Sequence, residues 1–179
     1  QSHALLQRVV IRDNRAQSCA GGLYLCESSP TLIDVEIRDN VAEEMNGGGV
    51  IVGKGSEPHL HRVLIEGNAA ATDGGGIYVL GVGEEGLPAS PRLTHVTLHG
   101  NVADLIGFGG HGANLYLHVA SHVSLLDCIV SGGIQGEGIY TYDWEATDPA
   151  VEARYTLFWN NSGGDAVARL DGSLDEVLA

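Results

Sequence analysis

Leu32-Ile33-Asp34-Val35-Glu36-Ile37-Arg38-Asp39-Asn40-Val41-Ala42 places apolar side chains at 32, 35 and 37, then an Asn and a small residue. The same spacing returns along the chain. Leu6, Val9, Ile11, Asn14 and Ala16 form an earlier copy, with later ones at Leu60, Val63, Ile65, Asn68, Ala70 and at Leu93, Val96, Leu98, Asn101, Ala103. A degenerate copy reads Leu125, Cys128, Val130, with Gly133 where Asn is expected. The last reads Tyr155, Leu157, Asn160, with Glu152 at the Leu position. A pattern recurring every few tens of residues is the signature of a solenoid, in which no unit buries its apolar face alone.

Each unit has a second half. It reads Gly-Gly-Leu-Tyr-Leu at 21–25, Gly-Gly-Val-Ile-Val at 48–52 and Gly-Gly-Ile-Tyr-Val at 75–79. Ala113-Asn114-Leu115-Tyr116-Leu117, Glu137-Gly138-Ile139-Tyr140-Thr141 and Ala166-Val167-Ala168 follow. These are short alternating strands entered through glycine. Leucine-rich repeats share the Leu-x-x-Val-x-Ile-x-x-Asn spacing but turn helical after the Asn. Paired glycines cost about 1 kcal/mol each in a helix interior, so the second half is read as strand. The expected fold is all-β: a right-handed parallel β-helix of about six coils over residues 1–179, with coils starting near 4, 30, 58, 91, 123 and 150. Because the repeat pattern begins at Gln1 with no leader, the chain reads as a mature or excised piece of a longer solenoid.

Stacking predicts columns. One inward column is Ile11, Ile37, Ile65, Leu98, Val130, Leu157, and another is Leu23, Val50, Ile77, Leu115, Ile139, Val167. Asn14, Asn40, Asn68, Asn101 and Asn160 form a structural ladder, since Asn tolerates a left-handed turn and bonds its neighbours. A charged column, Arg8, Asp34, Arg62, His95, Asp127, Arg154, alternates in sign except at Arg62–His95. A proton on His95 would therefore sit between Arg62 and Asp127.

The formal net charge of −14 argues against nucleic acid and anionic membranes as partners. No apolar run approaches the ~18 residues of a bilayer span. Cys128 occupies a core position of the repeat. Cys19 and Cys26 flank a strand, so at about 3.3 Å per residue their Cα atoms lie roughly 15–20 Å apart. A disulfide needs less than about 7 Å, so these two are expected to remain unbonded to each other.

The coils resemble the parallel β-helix repeats of secreted pectate-lyase-like proteins. Asn-x-Ala followed by Gly-Gly-x-Ile/Leu also resembles the polymorphic outer-membrane protein repeats of bacterial autotransporters. That resemblance implies a secreted or cell-surface bacterial protein, outer-membrane-associated in the second case. It says little about chemistry, because β-helices host many activities. The first expectation is a non-catalytic segment for display, adhesion or glycan binding. The alternative is a polysaccharide lyase, hydrolase or epimerase acting on an extracellular glycan.

Candidate sites follow the outward residues and insertions. Tyr24, Tyr78, Tyr116 and Tyr140, interrupted by Ile51, form an outward column; Tyr78, Tyr116 and Tyr140, with Trp144, are candidates for stacking on sugars. Loop carboxylates Glu84, Glu85, Asp143, Glu145 and Asp148 suit Ca²⁺, which takes six to eight oxygens; no other cofactor is expected. Gly110-His111-Gly112 resembles one catalytic motif of polygalacturonases, without its companion motifs. His111 and Asp143 are accordingly the catalytic candidates.

Overall fold

The computed structural model describes residues 3–82, 86–142 and 149–167. Every paired strand of its three sheets runs parallel to its neighbours, and no helix occurs among the described residues. The chain is a parallel β-helix.

The first sheet is the long arm of the repeat, with Thr31–Arg38 and His59–Glu66 as unbroken strands. In the other coils the same arm is divided, as in Arg92–Thr94 followed by Thr97–His99. The division falls at Arg8, His95, Asp127 and Tyr155, all at positive φ, and Asp34 and Arg62 share that conformation without ending their strand. The charged column is therefore a column of left-handed bends, each pushing its side chain out to solvent. Its last member is Tyr155, not the expected Arg154.

The second sheet stacks Leu23–Leu25, Val50–Val52, Ile77–Val79, Leu115–Leu117, Ile139–Thr141 and Ala166–Val167. A third, short one pairs Arg15–Ala16, Val41–Ala42 and Ala69–Ala70, continued by single bridges to Val102 and Ile134.

Inward residues stack on their equivalents: Leu32 on Leu60, Leu60 on Leu93, Leu93 on Leu125. They form one core with the Ile37, Ile65, Leu98, Val130 column and with Val50, Ile77, Leu115 and Ile139 from the opposite wall. Each fully buried aliphatic side chain contributes about 1.5–3 kcal/mol. Neighbouring coils lie about 4.8 Å apart, so a column is continuous hydrocarbon.

The sixth coil corrects the expected register. Val130 pairs with Phe158, not Leu157, and Leu125 pairs with Ala153, not Glu152. Phe158 is 5% exposed and Leu157 39%. Thr156, not Tyr155, takes the buried place held by Cys128 one coil earlier. A one-residue slip sends every side chain of a strand to the other face. In the second wall, Ala166 rather than Val167 stands opposite Ile139.

Asn side chains run the length of one corner. Asn14 Nδ2 donates to Asn40 Oδ1 (2.8 Å), Asn40 to Asn68 (2.9 Å) and Asn68 to Asn101 (3.0 Å). Asn101 then donates to Asn114 (2.8 Å), and Asn114 to Asn161 (2.9 Å). Asn40, Asn68 and Asn101 also donate to the carbonyls of Ile11, Ile37 and Ile65. These buried amides thus find partners in a core where a lost bond costs about 1–3 kcal/mol. Asn160, the ladder member expected from spacing, is exposed at φ 53°. It occupies the left-handed corner that Asp39, Gly67 and Gly100 hold in earlier coils, and Asn161 takes the inward place. All three cysteines are free thiols, and Cys128 is buried.

Candidate functional site

In the five three-residue strands of the second sheet the middle residue points outward, because its neighbours point into the core. Tyr24, Ile51, Tyr78, Tyr116 and Tyr140 are in register across five coils. Tyr78 and Tyr116 stack with ring centroids 5.2 Å apart and 5° between planes. Tyr116 and Tyr140 follow at 5.5 Å and 19°. Such pairs add about 0.5–1.5 kcal/mol beyond the area they bury. With Ile51 they make a second apolar cluster outside the main core, flanked by Cys19, Ala20, Leu80 and Tyr142.

This changes what the tyrosines can do. Tyr78 and Tyr116 are 7% and 5% exposed, and their faces are taken by one another. In this arrangement neither presents an open face to a sugar ring. One face of Tyr140 is on Tyr116 and the His111 ring stacks against it at 4.3 Å. Tyr24, at the end of the column beyond Ile51, is exposed. Burial, and secondarily the charge of Asp73, raises the phenol pKa of both Tyr78 and Tyr116.

Polar groups collect at the edge of this stack. His111 Nδ1 lies 3.2 and 3.3 Å from the two carboxylate oxygens of Glu137. Glu137 also accepts from the Gly112 backbone N–H at 3.2 Å. The His111 backbone N–H donates to Asp73 Oδ1 at 2.8 Å. Burial raises the Asp73 carboxyl pKa, opposed by that bond and by the nearby histidines. His118 stacks on Tyr142 at 5.3 Å. Burial lowers its pKa, and its Nδ1 has no hydrogen-bond partner among the described residues.

Glu137 thus engages the imidazole of His111 through Nδ1. The sequence pointed to His111 but not to Glu137 or Asp73. A signal existed: Asn46, Asp73 and His111 each precede a positive-φ glycine at 47, 74 and 112, so alignment on those glycines puts them in one column.

Asp143, Trp144, Glu145, Asp148, Glu84 and Glu85 lie outside the described residues. Among the described residues no three His, Cys, Asp or Glu side chains are grouped to hold a metal ion. In the charged column Arg62 grips Asp34 through two bonds of 2.6 and 3.0 Å. His95 Nε2 is 3.6 Å from Asp127, and its ring meets His61 edge-on.

The stacked coils and side-chain ladders define a parallel β-helix repeat protein. Residues 62–80 match the Chlamydia polymorphic membrane protein (Chlamydia_PMP) repeat, from the Arg62 bend through Asn68 to the end of the Ile77–Val79 strand. The chain therefore resembles that repeat over a small part of its length. No curated protein and no solved structure matches it significantly. No helix among the described residues is long and apolar enough to cross a membrane, which has no bearing on spans built from strands.

Proposed function

We propose that this chain is a repeat segment of a bacterial cell-surface protein, serving display and adhesion without catalytic turnover. The observation that carries the reading is the polymorphic membrane protein repeat at 62–80, set in a solenoid whose neighbouring coils follow the same plan. The functional-looking side chains support it, because they are largely engaged with each other: Asn with Asn, Tyr with Tyr, His111 with Glu137. Such a column is a stiff rod whose outward faces vary without disturbing its core.

The experiment is to label intact cells making the parent protein with an antibody raised against residues 3–82. Labelling without permeabilisation is expected; labelling only after permeabilisation would overturn the location. Incubating the purified chain with acidic and neutral polysaccharides tests the absence of turnover. Release of reducing or unsaturated ends, abolished in His111→Ala, would replace this reading with that of a carbohydrate-active enzyme.

A further inference from the structure

The outer face of the first sheet carries a groove away from the tyrosine column. Three adjoining concavities of about 490, 340 and 280 Å³ lie along it, and Arg92 is in the wall of all three. The register explains why. Thr31, His59, Arg92, Ser124 and Glu152 form one outward column, alternating with the inward Leu32, Leu60, Leu93, Leu125 and Ala153.

Arg92 is exposed, and no carboxylate pairs with it among the described residues. Its neighbours in the column, one coil to either side, are His59 and Ser124, a ring and a hydroxyl. By contrast, Arg62 and Arg154 are committed to Asp34 and Glu152. The acids of the groove stand at its two ends: Glu57 in the smallest concavity and Glu152, already bound to Arg154 at 2.7 Å, in the other two. One unpaired guanidinium is thus centred in a groove with negative ends, on a chain of net charge −14.

We propose that this groove binds a mostly neutral glycan at an isolated acidic sugar, whose carboxylate is held by Arg92. The planar fork of a guanidinium matches a carboxylate through two parallel bonds. Ser124, His59 and His122 supply donors and acceptors for flanking hydroxyls. An elongated ligand fits because the concavities follow one another from coil to coil. A peptide fits less well: peptides add to free strand edges or anchor apolar side chains in pockets. Here the central strands are paired on both sides, so no free strand edge is offered, and polar and apolar surface share the groove wall about equally. A densely charged polyanion is disfavoured by the carboxylates at the ends and by the overall negative field.

The site supplies a ligand class for the adhesive reading, and rests on that reading only for its use at a cell surface. Binding by the purified chain is measured independently of location, so either can fail alone. The probe is a neutral gluco-oligosaccharide with one internal glucuronate, titrated calorimetrically. The controls are the same oligosaccharide reduced to the alcohol at its carboxyl, and a polyglucuronate. The proposal expects at least a tenfold weaker affinity for the reduced form and for Arg92→Ala, and an intermediate affinity for Arg92→Lys. It expects no gain for polyglucuronate. Arg92 points to solvent, so an unchanged melting temperature in Arg92→Ala serves as the folding control; if it drops, Arg92→Gln replaces it. Equal binding of the reduced form, retained binding in the Arg92 variants, tightest binding of polyglucuronate, or no binding to the wild type would each overturn the proposal.

Discussion

Asn114 fills the place that Gly133 leaves in the asparagine ladder. Gly133 stands where a fifth Asn is due, and Asn114 stands where the other coils have Gly22, Gly49, Gly76 and Gly138. In those coils the glycine makes room: a Cβ on Gly49 would come within 3.0–3.1 Å of the Asn68 amide. Here the two residues, from successive coils, trade roles. Asn114 reaches inward, accepts from Asn101 and donates to Asn161 and to the Ser131 carbonyl. The ladder therefore continues unbroken, supplied from the opposite side of the coil.

The sixth-coil register makes a sharp prediction. Phe158→Ala removes a core ring and is expected to cost about 3–5 kcal/mol, whereas Leu157→Ala, on the outer face, should cost under ~1 kcal/mol. Urea unfolding of both variants checks this. A larger loss for Leu157→Ala would restore the register expected from sequence.

The same contrast applies to the adjacent asparagines. Asn161→Ala leaves the Asn114 amide and the Gly133 N–H without their acceptor. A loss of about 2–4 kcal/mol is expected, the sum of one or two unsatisfied buried groups. Asn160→Ala should lose about 1 kcal/mol, the strain of a non-glycine residue at positive φ. Thermal melts of the pair decide which residue belongs to the ladder.

Much of this fold was legible in the sequence, and the failures have a common cause. Apolar residues at fixed offsets from Asn40, Asn68 and Asn101 set the register of the middle coils without ambiguity. In the last coil Tyr155–Leu157 and Thr156–Phe158 both satisfy a two-residue alternation, and neither excludes the other locally. The stacked structure chooses through Val151 on Val123 and through Asn161. The exchange of Asn114 with Gly133, and the meeting of His111 with Glu137, join residues from different coils or half-coils. Alternation showed that Tyr78 and Tyr116 face outward. It could not show that neighbouring rings and corner residues cover them.

Two groups near the aromatic stack set opposite pH slopes. The His118 pKa is lowered by burial from an ordinary 6.5, so the folded state holds fewer protons than the unfolded chain. Stability is full above about pH 6.5 and declines as pH falls toward the lower folded-state pKa. The Asp73 pKa is raised by burial from an ordinary 3.8, so folding retains a proton that the unfolded chain releases. Stability from this group is full below 3.8 and declines as pH rises through the higher folded pKa. His118→Phe is expected to flatten the slope just below pH 6.5. Asp73→Asn should stabilise at pH 7, with the advantage fading as pH falls through the raised folded pKa and gone by about pH 3.8. Melting temperatures across pH 3–8 test both, and unchanged slopes in the two variants would contradict the burial assigned to them.

The most direct test of in-register stacking is a double-mutant cycle at Asn114 and Gly133. Asn114→Gly opens a gap between Asn101 and Asn161. Gly133→Asn crowds a site where a Cβ already meets Asn161 Oδ1 at 3.0 Å and Asn114 Nδ2 at 3.1 Å. Each single variant should be destabilised, while the double variant, which restores the Asn and Gly placement of the other coils apart from the neighbouring Ala113, should recover much of the loss. A coupling energy of about 2 kcal/mol or more, measured by chemical unfolding, is the predicted result. Simple addition of the two losses would mean that the side chains do not share one ladder.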